Sequence, residues 1–262
     1  MIREAAAVIL LRPAERGFEV LLVRRTRGAS FMASTCVFPG GATEPGEDAR
    51  VAAARELFEE AGVLLARGDA ETVDAPAQEQ LRARILGGAP AAKELAAAGL
   101  HWATDALAPW SHWITPSIEA KRFSARFFVA ELPAGQEPRF DDAETVAQIW
   151  LAPRDAAARS GELALPPPQL RTLWELAQHA TIGDVLAAAR ARATEPHPIL
   201  PRLAPGASPC LLLPWDPDYT VTGTGDAAPL TYHPSWAIGP SRFVMEERAW
   251  KHVAAPGSTS AG

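Results

Sequence analysis

The sequence predicts an α/β protein. Short apolar runs of strand composition recur between Ala6 and Leu151, with Ala-, Leu- and Glu-rich segments of helix composition between them. No internal repeat or heptad pattern is present, which sets solenoids and coiled coils aside. Of the 262 residues 48% are hydrophobic and 21% charged, enough apolar surface to bury a core. At roughly 150 residues per domain, the length suits one large domain or a smaller one with an elaboration.

Ala6–Arg12 and Phe18–Arg25 are apolar runs bounded by Pro, Gly and charge, and read as two strands. The Gly-, Pro-, Ser- and Thr-rich stretch from Gly28 to Gly46 reads as a long loop, a kind that is usually functional in a compact domain. Glu47 to Ala61 has helix composition, with Gly62 as its stop. Gly87-Gly88-Ala89-Pro90 divides the segment from Ala75 to Leu100 into two short helices. A stretch bearing Trp102, Trp110 and Trp113 leads to a strand within Arg122–Leu132, and Val146–Leu151 is another. Pro166-Pro167-Pro168 precedes a helix over Gln169–His179, and Ile182–Arg192 forms a second amphipathic helix. From Glu195 the chain is studded with Pro and Gly around bursts such as Leu211-Leu212-Leu213, and reads as an irregular β tail. The expected division is a core over 1–155, with a helical insertion at about 74–110, and a helical and Pro/Gly-rich extension over 156–262 packed on it.

A net charge of −6 argues against a nucleic-acid binder, whose surface is usually basic. Two cysteines, Cys36 and Cys210, exclude a disulfide scaffold, and the histidines form no HxH or HExxH zinc pattern. The apolar run Ala5–Leu11 is too short for a membrane span, which needs about 20 residues, and it lacks a signal-peptide layout. The expected compartment is the cytoplasm, with both cysteines reduced.

The informative segment runs from Gly40-Gly41 to Val63. On a helix, Glu56, Glu59 and Glu60 fall at i, i+3 and i+4 and share one face, while Val51, Ala54, Phe58 and Ala61 form the core stripe. Carboxylates confined together repel and raise one another's pKa. Arg55 offsets Glu59 one turn on. A hard divalent cation, Mg²⁺ or Mn²⁺, is the natural partner for the remaining charge because it takes oxygen ligands.

The segment has Gly41, five residues, Glu47, seven residues, Arg55-Glu56-Leu57, one residue, Glu59-Glu60, one residue and Gly62-Val63. This pattern is the Nudix box, and the chain resembles the Nudix hydrolase family at every position of it. The resemblance implies an α/β/α sandwich around a mixed sheet, with helical insertions and an irregular C-terminal extension. It also implies a Mg²⁺- or Mn²⁺-dependent hydrolase of nucleoside diphosphates linked to another moiety. Carried over by position, Glu56, Glu59 and Glu60 are metal ligands with the Gly41 (or Gly40) carbonyl as an addition. Glu59 and Arg55 serve catalysis, Arg55 by orienting a glutamate, and Glu47 is structural near the helix start. The general base is expected beyond the helix, with Glu144 the first choice and Asp142 and Glu119 behind it.

Substrate choice lies outside the box. Leu21, Leu22, Arg25, Phe38, Pro39, Gly40 and Gly41 match most of a coenzyme A box, with Ser30 a departure. Trp113-Ile114-Thr115-Pro116, Arg122-Phe123, Phe127-Phe128 and Pro167-Pro168-Gln169 are similar to the CoA and acyl-CoA diphosphatase subgroup, although Ser124-Ala125 departs from it. The substrate implied is CoA or acyl-CoA, giving 3′,5′-ADP and (acyl-)4′-phosphopantetheine. Arg24, Arg25, Phe38 and Arg122 are the substrate-binding candidates, since Arg forks match phosphate oxygens. Trp113 and His112 read as packing residues first. The expected partners are this CoA-like nucleotide and, left open, a second copy of the chain; nucleic acid and membrane are excluded. The rival readings are hydrolysis of NADH, ADP-ribose or a nucleotide sugar, or a non-catalytic ligand sensor, which need not keep metal ligands.

Overall fold

The computed structural model describes residues 1–26, 35–68, 74–139, 145–206 and 208–256. Strand β1 (Ile2–Pro13) turns through Gly17, at φ 74°, into β2 (Phe18–Arg25). Two short strands, β3 (Cys36–Val37) and β4 (Gly40–Ala42), lie inside the stretch expected to be an unbroken loop. They form because β2 and β1 offer backbone edges that Cys36–Val37 and Gly40–Ala42 pair with. Helix α1 (Ala49–Ala61) follows, then β5 (Ala66–Gly68), α2 (Ala75–Leu86), α3 (Ala91–Ala97) and β6 (Leu100–Trp102). The long strands β7 (Ala108–Ile114) and β8 (Arg122–Glu131) lead to β9 (Thr145–Leu151).

The main sheet runs β7-β8-β1-β2-β3, with β4 beside β1 and β9 beside β2. It is mixed: β1 pairs parallel with β8 and antiparallel with β2 and β4. Alternation along β1 sends Ala6, Val8 and Leu10 to the face covered by α1, and Ile9 and Leu11 to the other. That second face is closed by α4 (Pro153–Ala158), α5 (Ser160–Leu163), α6 (Pro167–Leu176) and α7 (Ile182–Arg192). The architecture is therefore an α/β/α sandwich, as expected.

The division expected at residue 155 falls inside α4. Residues beyond it supply the second helical layer, whose Leu163, Leu170, Leu173 and Val185 share one core with Ile9 and Val20. β10 (Pro198–Ile199) extends the main sheet beside β7. The tail is more regular than expected: β11 (Arg202–Ala204), β12 (Cys210–Leu212), β13 (Arg242–Glu246) and β14 (Ala249–Val253) form an antiparallel sheet. The insertion α2–α3 packs on α1 through Phe58, Leu64, Leu81, Ile85 and Leu95. No helix among the described residues is long and apolar enough to cross a membrane.

Candidate active site

Helix α1 starts later than its composition suggested. Asp48 takes the cap, its carboxylate accepting from Arg50 N at 2.8 Å, which leaves Glu47 outside the helix. Gly62 ends it in the left-handed region, at φ 67°, with its N–H donating to the Phe58 carbonyl. The buried surface is wider than the expected Val51, Ala54, Phe58 and Ala61 stripe. Ala52, Ala53, Leu57 and Glu60 are buried too and Val51 is half-buried, because the sheet covers one side and α2–α3 another.

Around this helix the carboxylates are held in a charged lattice. Arg55, 6% exposed, donates to Glu47 from Nε (2.9 Å) and Nη2 (3.0 Å), and to Glu56 (2.9 Å) and Glu59 (3.2 Å) from Nη1. Its Nη2 also reaches the Ala42 carbonyl at 3.0 Å, tying α1 to β4. Burial pulls its pKa down, but Glu47, Glu56 and Glu59 outweigh burial and hold the guanidinium charged. Burial is the larger influence on Glu59 and lifts its carboxyl above the usual range against the pull of Arg55. Glu60, 3% exposed, accepts from Gly40 N at 2.9 Å and lies 3.6 Å from Arg25 Nη1. A Cβ on Gly41 would lie 2.5 Å from the Glu56 carboxyl carbon, so the bare glycine leaves that carboxylate its room.

Glu47, Glu56, Glu59 and Glu60 gather four carboxylates, with Arg55 and Arg25 as ion-pair partners among the described residues. Among the described residues no three acidic, His or Cys side chains form a ready-made metal site, since Arg55 engages both Glu56 and Glu59. The donor chemistry nevertheless fits a hard divalent cation: the candidate ligands are all oxygen, and Glu56, Glu59 and Glu60 spring from one short stretch of α1.

The other expected residues divide. Arg25 reaches the carboxylates. Arg24 projects to the opposite face of β2, toward Cys36 and Glu162, because neighbouring strand residues alternate. Phe38 is 2% exposed and packs edge-on against Phe127 in the core. Arg122 pairs in register with Ile2, while Gly41 pairs with Ala6, four positions or about 13 Å along β1. Its Nε donates to the Thr115 carbonyl (3.0 Å) and Nη1 faces Asp226 (3.4 Å). Trp113 is buried, and His112 bonds Ser124 at 2.9 Å with its pKa lowered by burial and Arg126. Glu119 is exposed on the turn after β7. Glu144 and Asp142 lie outside the described residues.

Two roles escaped the sequence. Glu47 is the bidentate partner of Arg55, and Arg82, from α2, donates to the Glu59 carbonyl. Only folding brings either pair together.

A helix of clustered carboxylates seated on a Gly-Gly strand in an α/β/α sandwich defines a Nudix-type fold and site. Residues 45–176, half of the chain, match the model of the NUDT19 Nudix domain. A NUDIX hydrolase from Alicyclobacillus acidocaldarius superposes with a TM-score of 0.63 at 29% identity, over 71% of this chain and 96% of that one. The chain belongs to the Nudix hydrolase family. A Caenorhabditis elegans protein described as nudix hydrolase 7 is 34% identical over 67% of this chain and 61% of its own. The Gallus gallus acyl-coenzyme A diphosphatase NUDT19 is 29% identical over 83% of this chain and 81% of its own. For the Homo sapiens protein of that name the figures are 33%, 52% and 40%. The match thus spans less than two thirds of the worm and human proteins.

Proposed function

We propose that the protein hydrolyses the diphosphate linkage of CoA or acyl-CoA, with Mg²⁺ or Mn²⁺, to 3′,5′-ADP and (acyl-)4′-phosphopantetheine. The observation that carries the substrate is the 29% identity to an acyl-coenzyme A diphosphatase over 83% of this chain. The carboxylate lattice on α1 supports the reaction type.

Glu56, Glu59 and Glu60 would hold the cation, with the Gly41 carbonyl completing the set. When bound, the cation supplies charge neutralisation at the diphosphate and activation of water. Glu47 keeps Arg55 in place, and Arg55 fixes Glu56 and Glu59. Gly40 N and Arg25 orient Glu60. Arg25, beside the carboxylates, is the strongest candidate to meet a substrate phosphate, ahead of Arg24 and Arg122. Glu144 is assigned, on the sequence argument, to take the proton from the attacking water. Water then adds to phosphorus as the bridging oxygen leaves with the second phosphate. A cytoplasmic location is part of the proposal and rests on the sequence.

The test is to incubate the protein with Mg²⁺ and CoA, acyl-CoAs, NADH, ADP-ribose and UDP-glucose, following products by mass spectrometry. The expected result is 3′,5′-ADP from the CoA compounds. Much faster cleavage of NADH or ADP-ribose would reject the CoA substrate, and binding without cleavage would favour a sensor.

A further inference from the structure

We propose that Arg82 is a positioning residue for the carboxylate helix, so that the insertion helix α2 sets the alignment of Glu59 and Glu60. The inference rests on the metal-holding role proposed for those glutamates.

The last carbonyls of a helix have no partner within it, and its last turn is where it frays. Glu59 and Glu60 both spring from that turn of α1. Arg82 is 4% exposed and donates to the Glu59 carbonyl from Nη2 at 2.8 Å and from Nε at 3.2 Å. A guanidinium at this end also complements the negative pole of the helix dipole. Neighbouring groups meet two of the others: Gly62 N donates to the Phe58 carbonyl, and Arg139 N to the Ala61 carbonyl at 2.8 Å. Gln78, one turn before Arg82 on α2, donates to the Gly62 carbonyl (2.7 Å) and to Gln136 (2.9 Å). Gln136 in turn grips both the N–H and the carbonyl of Leu64.

The glycine that ends α1 has a second purpose here. A Cβ on Gly62 would lie 3.1 Å from Arg82 Nη1, so its bareness serves the guanidinium as well as the turn. Arg82 faces the main chain of Glu59 and not its carboxylate, which separates its task from that of Arg55. Without it, the Cα–Cβ bonds of Glu59 and Glu60 lose their fixed origin while Arg55 still holds the Glu59 side chain.

The test compares wild type with Arg82→Lys and Arg82→Met by amide hydrogen exchange over residues 57–62, Mn²⁺ affinity by calorimetry, and kcat and KM on the cleaved substrate. In Arg82→Met we expect about tenfold faster exchange over 57–62, about tenfold weaker Mn²⁺ binding, and kcat lower by a similar factor with KM within about twofold. Arg82→Lys, which keeps the charge and one donor nitrogen in place of two, should fall between. Unchanged exchange and Mn²⁺ affinity in a folded Arg82→Met protein would overturn the proposal, as would a lower melting temperature with both unchanged. Should Arg82→Met not fold, the same comparison on Arg82→Lys decides. If wild type binds Mn²⁺ yet cleaves no substrate, the catalytic reading fails while exchange and Mn²⁺ affinity still decide the role of Arg82.

Discussion

Arg55 and Glu47 form a two-pronged ion pair, Nε to Oε1 at 2.9 Å and Nη2 to Oε2 at 3.0 Å, with Glu47 lying outside the helix that carries Arg55. Both side chains are largely buried, which makes the pair a fixed anchor for Glu56 and Glu59.

Glu47→Gln should therefore lower kcat by about tenfold while KM changes little, because the lost charge frees Arg55 and misplaces Glu56 and Glu59. Steady-state kinetics across a substrate series measure this. A rise of about tenfold in KM with kcat unchanged would place Glu47 in substrate binding instead.

Glu60→Gln keeps the shape of the side chain and an acceptor for Gly40 N. It should fold with a melting temperature near that of wild type and lose activity by about a hundredfold or more, since an amide is a poor ligand for a hard cation. Circular dichroism and a product assay decide it; wild-type turnover would remove Glu60 from the metal site.

Glu59 carries a pH signature. Burial raises its carboxyl pKa in the folded state, so its contribution to stability is full below the unfolded value, about 4.3. That contribution is lost as pH rises through the folded value, where a half-buried carboxylate must ionise. Glu59→Gln should thus melt higher than wild type at pH 7–8 without divalent cation, the two curves converging below about pH 4. Activity should be lost in the same variant, and added Mg²⁺ should raise the melting temperature of wild type more. Thermal melts from pH 3 to 8 check this; a variant that melts lower at neutral pH contradicts it.

Glu175 holds the tail at a distance. Buried in α6, it accepts from Arg171 (2.7 Å), Arg192 (3.0 Å) and the Trp110 indole (2.9 Å). Arg171 donates in turn to the carbonyls of Trp236, Ile238 and Pro240. Glu175→Gln leaves two cations under-compensated and should cost about 3–5 kcal/mol. Chemical denaturation gives that number, and limited proteolysis should find the segment from Pro214 to Ser241 cut faster than in wild type.

By itself the sequence determined the carboxylate helix, its glycine stop, the strands β1, β2 and β8 and the family. All of these depend on residues close in the chain: i, i+3, i+4 spacing, period-two apolar runs, a αL glycine. Helix α7 follows the expected range for the same reason. What only the tertiary structure decided depends on residues far apart. Strand alternation and the pairing of β2 separate Arg25, at Glu60, from Arg24 on the other face. Phe38 lies in a stretch read as a loop, and the pairing of β3 and β4 draws that stretch onto the sheet and buries it. The second helical layer comes from residues that looked like an appendage, because the exposed face of the sheet has to be covered by apolar surface from somewhere. Glu47 and Arg82 find their partners only when chain segments 8 and 23 residues apart are folded together, a distance at which local propensity carries no information.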